Sequence, residues 1–382
     1  MRIVFLHHAN VCRAGIERVL CQKANMLAER LGWEVVLLTY EQNGEPCPYP
    51  LSPKVKCVDL GVRLYAAYRS DYPIRYFRKQ LLRRKLTLAI REFLRNFHAD
   101  IVVCTDKDAH EQQALVAAHT TERLVIEAHT GMVDHLMQER QTTVWFRKLN
   151  SHWNLLKLKF SVGKFDALIA LTPEDAVCWQ PYVRAEVIPN ALPVYPAQVA
   201  VAKQEFRRVI SVGRLNRQKG HDLLLQAWQE VEQQHPDWHL DIYGDGNDRQ
   251  MLNDLIRKLN IKNVRVNDSQ SDIYSEYMRS DFLVCSSRWE SFGLILIESM
   301  SCGVPVVSFD CDNGPRNIIS DGRNGLLARA GDVAHLAERM NWMIEHPEQR
   351  AQMATEARHS ASRFRQEEVL DRYAGFYQSL LE

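Results

Sequence analysis

Residues 207–235 read "RRVISVGRLNRQKGHDLLLQAWQEVEQQH". The segment opens with a short apolar run and passes through a loop bounded by Gly213 and Gly220. It continues with Leu224, Ala227, Trp228 and Val231 at the three- and four-residue spacing of an amphipathic helix. A strand whose apolar residues do not alternate with polar ones is covered on both faces. A strand, a glycine-containing loop and a covering helix make the repeating unit of a parallel sheet.

Working outward, the same unit recurs. Downstream, "HLDIYG", "VRVND", "DFLVCS" and "PVVSFD" read as strands separated by "DRQMLNDLIRKL" and "LILIESMS". Upstream, "RIVFLHH", "EVVLLTY", "DIVVCT", "RLVIEAH" and "ALIALT" alternate with "IERVLCQKANMLAERL" and "EQQALVAAHT". After Gly325 the chain is expected to be helical to its end. The prediction is an α/β protein of two doubly wound Rossmann-like domains facing a deep cleft, since such sheets bind ligands beyond their strands' carboxyl ends. The expected boundaries are 1–188 for the first domain, 189–204 for a linker, 205–360 for the second, and 361–382 for a helix returning to the first. The linker, "PNALPVYPAQVAVAKQ", holds three prolines and no clean period.

Charge and composition narrow the class. The net charge is +1, but residues 1–190 carry 26 Lys and Arg against 20 Asp and Glu, and the remainder 22 against 27. An acidic second half and the absence of a recognition motif argue against nucleic acid. No apolar run approaches the length of about 20 residues that spans a bilayer, so a cytoplasmic protein is expected. Nine cysteines with no C-x-x-C pair read as buried small residues in a reducing compartment.

The candidate sites fall in strand-to-helix turns. Gly15 stands where a helix begins after the first strand, suited either to an anion approaching the helix N-terminus or to an ordinary turn. Arg214 and Lys219 flank the Gly213–Gly220 loop, where two cations converge on a diphosphate or form a solvated basic loop. Gly244 and Gly246 stand at another strand end. In "SRWESFGLILIESMS", Glu290 precedes the turn Ser291, Phe292, Gly293, while Glu298 lies in the apolar helix that starts at Leu294.

The segments "VIPNA", "SVGRLNRQKG", the Glu290-x7-Glu298 pair and "NGLL", in that order along the chain, resemble the family 4 retaining glycosyltransferases. The resemblance covers nearly the whole length and implies the architecture called GT-B. It further implies that Glu298 takes the ribose hydroxyls of a nucleotide, Glu290 the donor sugar, and Arg214 and Lys219 the diphosphate. His129 in "IEAHTG" matches a family histidine near the donor sugar. Transfer of a hexose or N-acetylhexosamine from a UDP-linked donor to a saccharide or lipid-linked glycan, as in cell-surface polysaccharide assembly, is the activity implied. No metal and no cofactor other than the sugar nucleotide are expected. Two departures stand out: Ala14 precedes Gly15 where relatives carry a second glycine, and Asp268 follows "VRVN" where they carry a glycine.

Two alternatives remain at this level: a nucleotide-sugar epimerase of the same architecture, and a non-catalytic nucleotide-sugar-binding subunit. The acceptor side is expected in the first half. Around residues 75–97, Arg75, Arg78, Lys79, Arg83, Arg84 and Lys85 are interleaved with Tyr76, Phe77, Leu81 and Leu82. Around 145–165, Trp145, Trp153, Lys157, Lys159 and Lys164 repeat the mixture. Such segments suit peripheral contact with an anionic membrane at its inner face, or a solvated face over a core.

Overall fold

The computed structural model describes residues 1–11, 15–65, 74–106, 109–132, 156, 158–197, 199 and 206–382. Ala14, Trp145, Trp153 and Lys157, and residues 198 and 200–204 of the expected linker, lie outside the described residues. The chain forms two compact units, one made of Met1–Ala191 with Gln366–Glu382, the other of Leu192–Arg365.

The first unit holds a seven-stranded sheet of β1 (Arg2–His7), β2 (Glu34–Thr39), β3 (Val55–Asp59), β4 (Ile101–Thr105), β5 (Arg123–Ala128), β6 (Ala167–Ala170) and β7 (Ala185–Val187). Their order is β3-β2-β1-β4-β5-β6-β7, and every pairing is parallel. Successive side chains of a strand point to opposite faces, and both faces are covered. Val4 and Leu6 of β1 join Leu86, Ile90 and Leu94 of the helix Ile74–Phe97 and Leu115 of the helix Ala109–Ala118. Ile3 and Phe5 join Leu20, Ala24 and Leu27 of the helix Gly15–Arg30, together with Val369, Tyr373 and Phe376 of the C-terminal helix Gln366–Ser379. That two-sided burial is why β1 reads as an unbroken apolar run.

The second unit holds β8 (Arg208–Val212), β9 (His239–Tyr243), β10 (Val264–Asn267), β11 (Phe282–Cys285), β12 (Val306–Asp310) and β13 (Gly325–Arg329). The order is β10-β9-β8-β11-β12-β13, again all parallel. Trp228 of the helix His221–Gln234 and Met340 of the helix Val333–Glu345 pack on Val209, Ile242, Val284 and Val307. In each sheet the chain reverses its direction of progress once, between β1 and β4 and between β8 and β11.

The structure corrects the sequence reading in two places. The chain does not become helical directly after Gly325, because Gly325–Arg329 first adds β13 beside β12. Strands β3 and β7 were not expected either. All three lie at sheet edges; β3 keeps Lys56, Cys57 and Asp59 exposed and β7 is only three residues long, so neither carries the continuous apolar signature of the interior strands. The basic helix Ile74–Phe97 buries only Leu86, Ile90 and Leu94. It leaves Ile74, Phe77, Leu81 and Leu88 more than half exposed. No described helix is long and apolar enough to cross a membrane.

Candidate active site

The reversal between β8 and β11 puts the loops that follow these two adjacent strands side by side, the usual position of ligands in such sheets. Beyond β8 the pairing with β9 continues into the loops, with the amide of Gly213 donating to Tyr243 O at 3.0 Å and that of Leu215 to Asp245 O at 2.8 Å. A side chain at Gly244 has no room: its Cβ would lie 1.8 Å from the Gly213 carbonyl oxygen. Asn216 then caps a single 3-10 turn, Arg217–Lys219, by accepting from the Lys219 amide. Gly220 closes the turn at φ +62°, and a Cβ there would meet Ser286 O at 2.1 Å. A turn closing in the left-handed region against a neighbouring carbonyl admits glycine, and from it the helix His221–Gln234 starts.

This turn delivers Lys219 to Glu290. Lys219 Nζ donates to Glu290 Oε1 at 2.5 Å, and Ser287 Oγ donates to the same oxygen at 2.6 Å. Burial opposes the charge on Lys219, but Glu290 outweighs it and holds the lysine pKa above its ordinary value. The side-chain carbons of Lys219 pass 3.2 Å from where a Gly213 Cβ would stand. Arg288 fastens the two loops together, gripping Asp222 with both terminal nitrogens at 2.8 and 2.7 Å. Arg214 differs from these groups. It is exposed, and its guanidinium makes no ion pair or hydrogen bond among the described residues. A free cation thus stands in the same loop as a paired one.

Glu290 also pairs through its backbone with Asn313, in the loop after β12, as an isolated bridge. After Ser291 and the buried Phe292, Gly293 at φ +93° starts the helix Leu294–Ser301. Glu298 sits in that helix, 2% exposed, and accepts from Tyr277 Oη at 3.3 Å. The two glutamates therefore serve separate contacts. Gly244 and Gly246 lie at the end of β9, and Asp268, after β10, pairs with Arg249 at 2.8 Å. Arg249 also donates to Gly244 O at 2.7 Å, so Asp268 anchors the arginine that ties the ends of β9 and β10 together. Among the described residues no cluster of His, Cys, Asp or Glu is placed to hold a metal.

Gly15 and His129 belong to the first unit. Gly15 opens the helix after β1. His129 follows β5, and its Nε2 lies 2.9 Å from Glu127 Oε2. The other oxygen of Glu127 accepts from Lys23 at 2.6 Å and from Tyr377 of the C-terminal helix at 3.1 Å. Burial alone would raise the Glu127 pKa, but Lys23 and His129 outweigh it and hold the carboxyl at about 2. Burial pulls Lys23 below its ordinary value. The sequence reading missed this group, although it left two traces. Lys23 shares a helical face with Leu20, Ala24 and Leu27, and Glu127 interrupts the apolar strand "RLVIEAH".

Two Rossmann-like units with strand orders of this kind make the architecture called GT-B. The chain belongs to the family 4, group 1 glycosyltransferases. The pattern described as "Glycosyltransferase Family 4" matches residues 13–194, and that described as "Glycosyl transferases group 1" matches residues 197–360. An uncharacterized glycosyltransferase of Haemophilus influenzae is 25% identical over 375 residues, covering 94% of this chain and 95% of that protein. The amylovoran biosynthesis glycosyltransferase AmsD of Erwinia amylovora is 37% identical over 122 residues, covering 32% of this chain and 34% of that protein. Among solved structures, Anabaena HepE in complex with UDP and glucose superposes with a TM-score of 0.72 at 20% identity, covering 99% of this chain and 100% of that one.

Proposed function

We propose that this glycosyltransferase moves a hexose or N-acetylhexosamine from a UDP-linked donor, with retention, to a saccharide or lipid-linked glycan in polysaccharide assembly. The observation that carries the reading is the Lys219–Glu290 pair with the unpaired Arg214 in the same loop. Two cations oppose the charge that grows on a departing diphosphate, which stabilises the transition state electrostatically and requires no cofactor beyond the sugar nucleotide. Glu290 takes the sugar and Glu298 the ribose, whose vicinal hydroxyls a carboxylate accepts together. The UDP and glucose held by HepE support uridine and a hexose, and AmsD's role in amylovoran biosynthesis supports a polysaccharide product.

Retention follows from a same-face displacement. The bond from the anomeric carbon to the phosphate oxygen breaks, the acceptor oxygen bonds to that carbon from the same side, and the acceptor proton passes to the leaving phosphate. The E-x7-E pattern supplies no evident nucleophile opposite the leaving group among the described residues, whereas retaining glycosidases hold a pair of carboxyl groups about 5 Å apart. The test screens nucleotide sugars by thermal shift, then determines the anomeric configuration of the product by NMR. A uridine donor stabilises the protein and yields the donor's own configuration. In Glu298→Gln the UDP affinity falls with the fold intact. An inverted product, or a Glu298→Gln variant that binds UDP as tightly as the parent, would refute the corresponding part.

A further inference from the structure

The first unit carries a cavity of about 690 Å³ set apart from the Lys219–Glu290 pair of the second unit. Arg83, Arg84, Thr87 and Leu88 line it from the helix Ile74–Phe97, Gln113, Val116 and Ala117 from the helix Ala109–Ala118, and Phe160, Ser161 and Lys164 from the segment before β6. The helix Ala109–Ala118 leaves the carboxyl end of β4 and brings the chain to the amino end of β5. Its later residues, which line the cavity, therefore lie away from the loops that hold Gly15 and His129.

Three features describe the ligand. The lining is one-signed: among the described residues it holds three cations and no carboxylate. Arg83 is occupied, donating to Gln113 Oε1 at 2.7 Å, while the guanidinium of Arg84 is exposed and without a partner among the described residues. Lys164 lies 4.7 Å from the centre of the Phe160 ring. The second feature is apolar: Leu88 and Phe160 border the cavity while 62% and 73% exposed, so its rim offers hydrocarbon surface to a ligand. The third is a hydroxyl. Ser161 is 4% exposed, yet among the described residues its Oγ has no hydrogen-bond partner, and a buried hydroxyl without one costs about 1–3 kcal/mol.

Cations, an unsatisfied hydroxyl and bordering apolar side chains match a molecule with an anionic head and a hydrocarbon chain. The volume falls in the range of about 300–1,000 Å³ typical of small-molecule sites. We propose that this cavity binds the phosphate head of an anionic lipid, with Arg84, Lys164 and Ser161 on the phosphate and Leu88, Val116 and Phe160 on the start of the chain. The proposal does not rest on the transfer reaction and is tested by binding alone.

The probe is dihexanoyl phosphatidic acid, kept below its micelle concentration and titrated calorimetrically into the full chain. Dihexanoyl phosphatidylcholine and inorganic phosphate are titrated in parallel. The acid binds saturably at one site. The zwitterionic lipid and inorganic phosphate bind at least tenfold more weakly, since each lacks half of the match. Arg84→Gln with Lys164→Gln weakens the acid at least tenfold and leaves UDP affinity unchanged, while Phe160→Ser weakens it less. Absence of saturable binding, phosphate bound as tightly as the lipid, or an unaffected double variant would each overturn the proposal.

Discussion

If the diphosphate has to share Lys219 with Glu290, removing either partner should shift nucleotide affinity in opposite directions. Lys219→Met keeps the side-chain carbons that lie over Gly213 and removes the ammonium. A hydrogen bond to a charged group contributes about 1.5–3 kcal/mol, so UDP should bind about 10 to 150 times more weakly. Glu290→Gln keeps the shape and removes the anion that holds Lys219 at 2.5 Å. The ammonium then has one fewer charged competitor, and UDP should bind at least as tightly as to the parent, while the transfer rate falls because the sugar loses its carboxylate. Calorimetry with UDP measures the first pair of effects and initial rates with a UDP-linked donor the second. Thermal unfolding confirms that both variants fold. A Glu290→Gln variant that loses UDP affinity as far as Lys219→Met does would refute the reasoning, since Glu290 would then position Lys219 instead of competing for it.

Two further outcomes concern stability. Glu127→Gln leaves the buried ammonium of Lys23 without its counter-charge, and about 3–5 kcal/mol should be lost in urea unfolding. Adding Lys23→Met should recover most of it, and a loss below about 1 kcal/mol in the single variant would contradict the burial of the pair. Burial and the nearby Lys219 charge push His221 down to about 4. Its unfolded imidazole gains a proton below about pH 6.5 that the folded one refuses until about 4. Its contribution is therefore constant above pH 6.5 and declines between 6.5 and 4, by at most about 3 kcal/mol. His221→Gln should flatten that part of the profile, and equal pH slopes in parent and variant would disprove it.

The interior of both sheets was legible because burial on two faces writes itself into sequence. The ten expected strands all formed, from "RIVFLHH" at β1 to "PVVSFD" at β12. Strands β3 and β7 were not legible, because β3 keeps polar, exposed residues and β7 is three residues long, while β13 was missed because its short run follows a glycine turn and leads straight into helices. In the site, Arg214 and Lys219 stood out in a glycine-bounded loop, Glu290 before a turn and Glu298 as a carboxylate in an apolar helix. That Lys219 and Glu290 touch was not, since 71 residues separate them and only the β8–β11 reversal brings their loops together. Tyr277, the partner of Glu298, stands in a short helix with no pattern pointing at it. The Glu127 group lay further out of reach, joined across 250 residues by Tyr377.

The C-terminal helix has a consequence for how the chain is made. Gln366–Ser379 supplies Val369, Tyr373, Phe376 and Tyr377 to the first sheet, so the first unit to leave the ribosome is the last to be completed. Domains usually finish in the order of synthesis. Here Leu192–Arg365 is contiguous and has all its residues while the nascent first sheet still waits with one apolar face uncovered and Lys23 short of the aromatic rings that enclose it. Emergence of Gln366–Ser379, not that of residue 191, therefore sets the time at which the first unit closes, and until then that apolar face is open to chaperones.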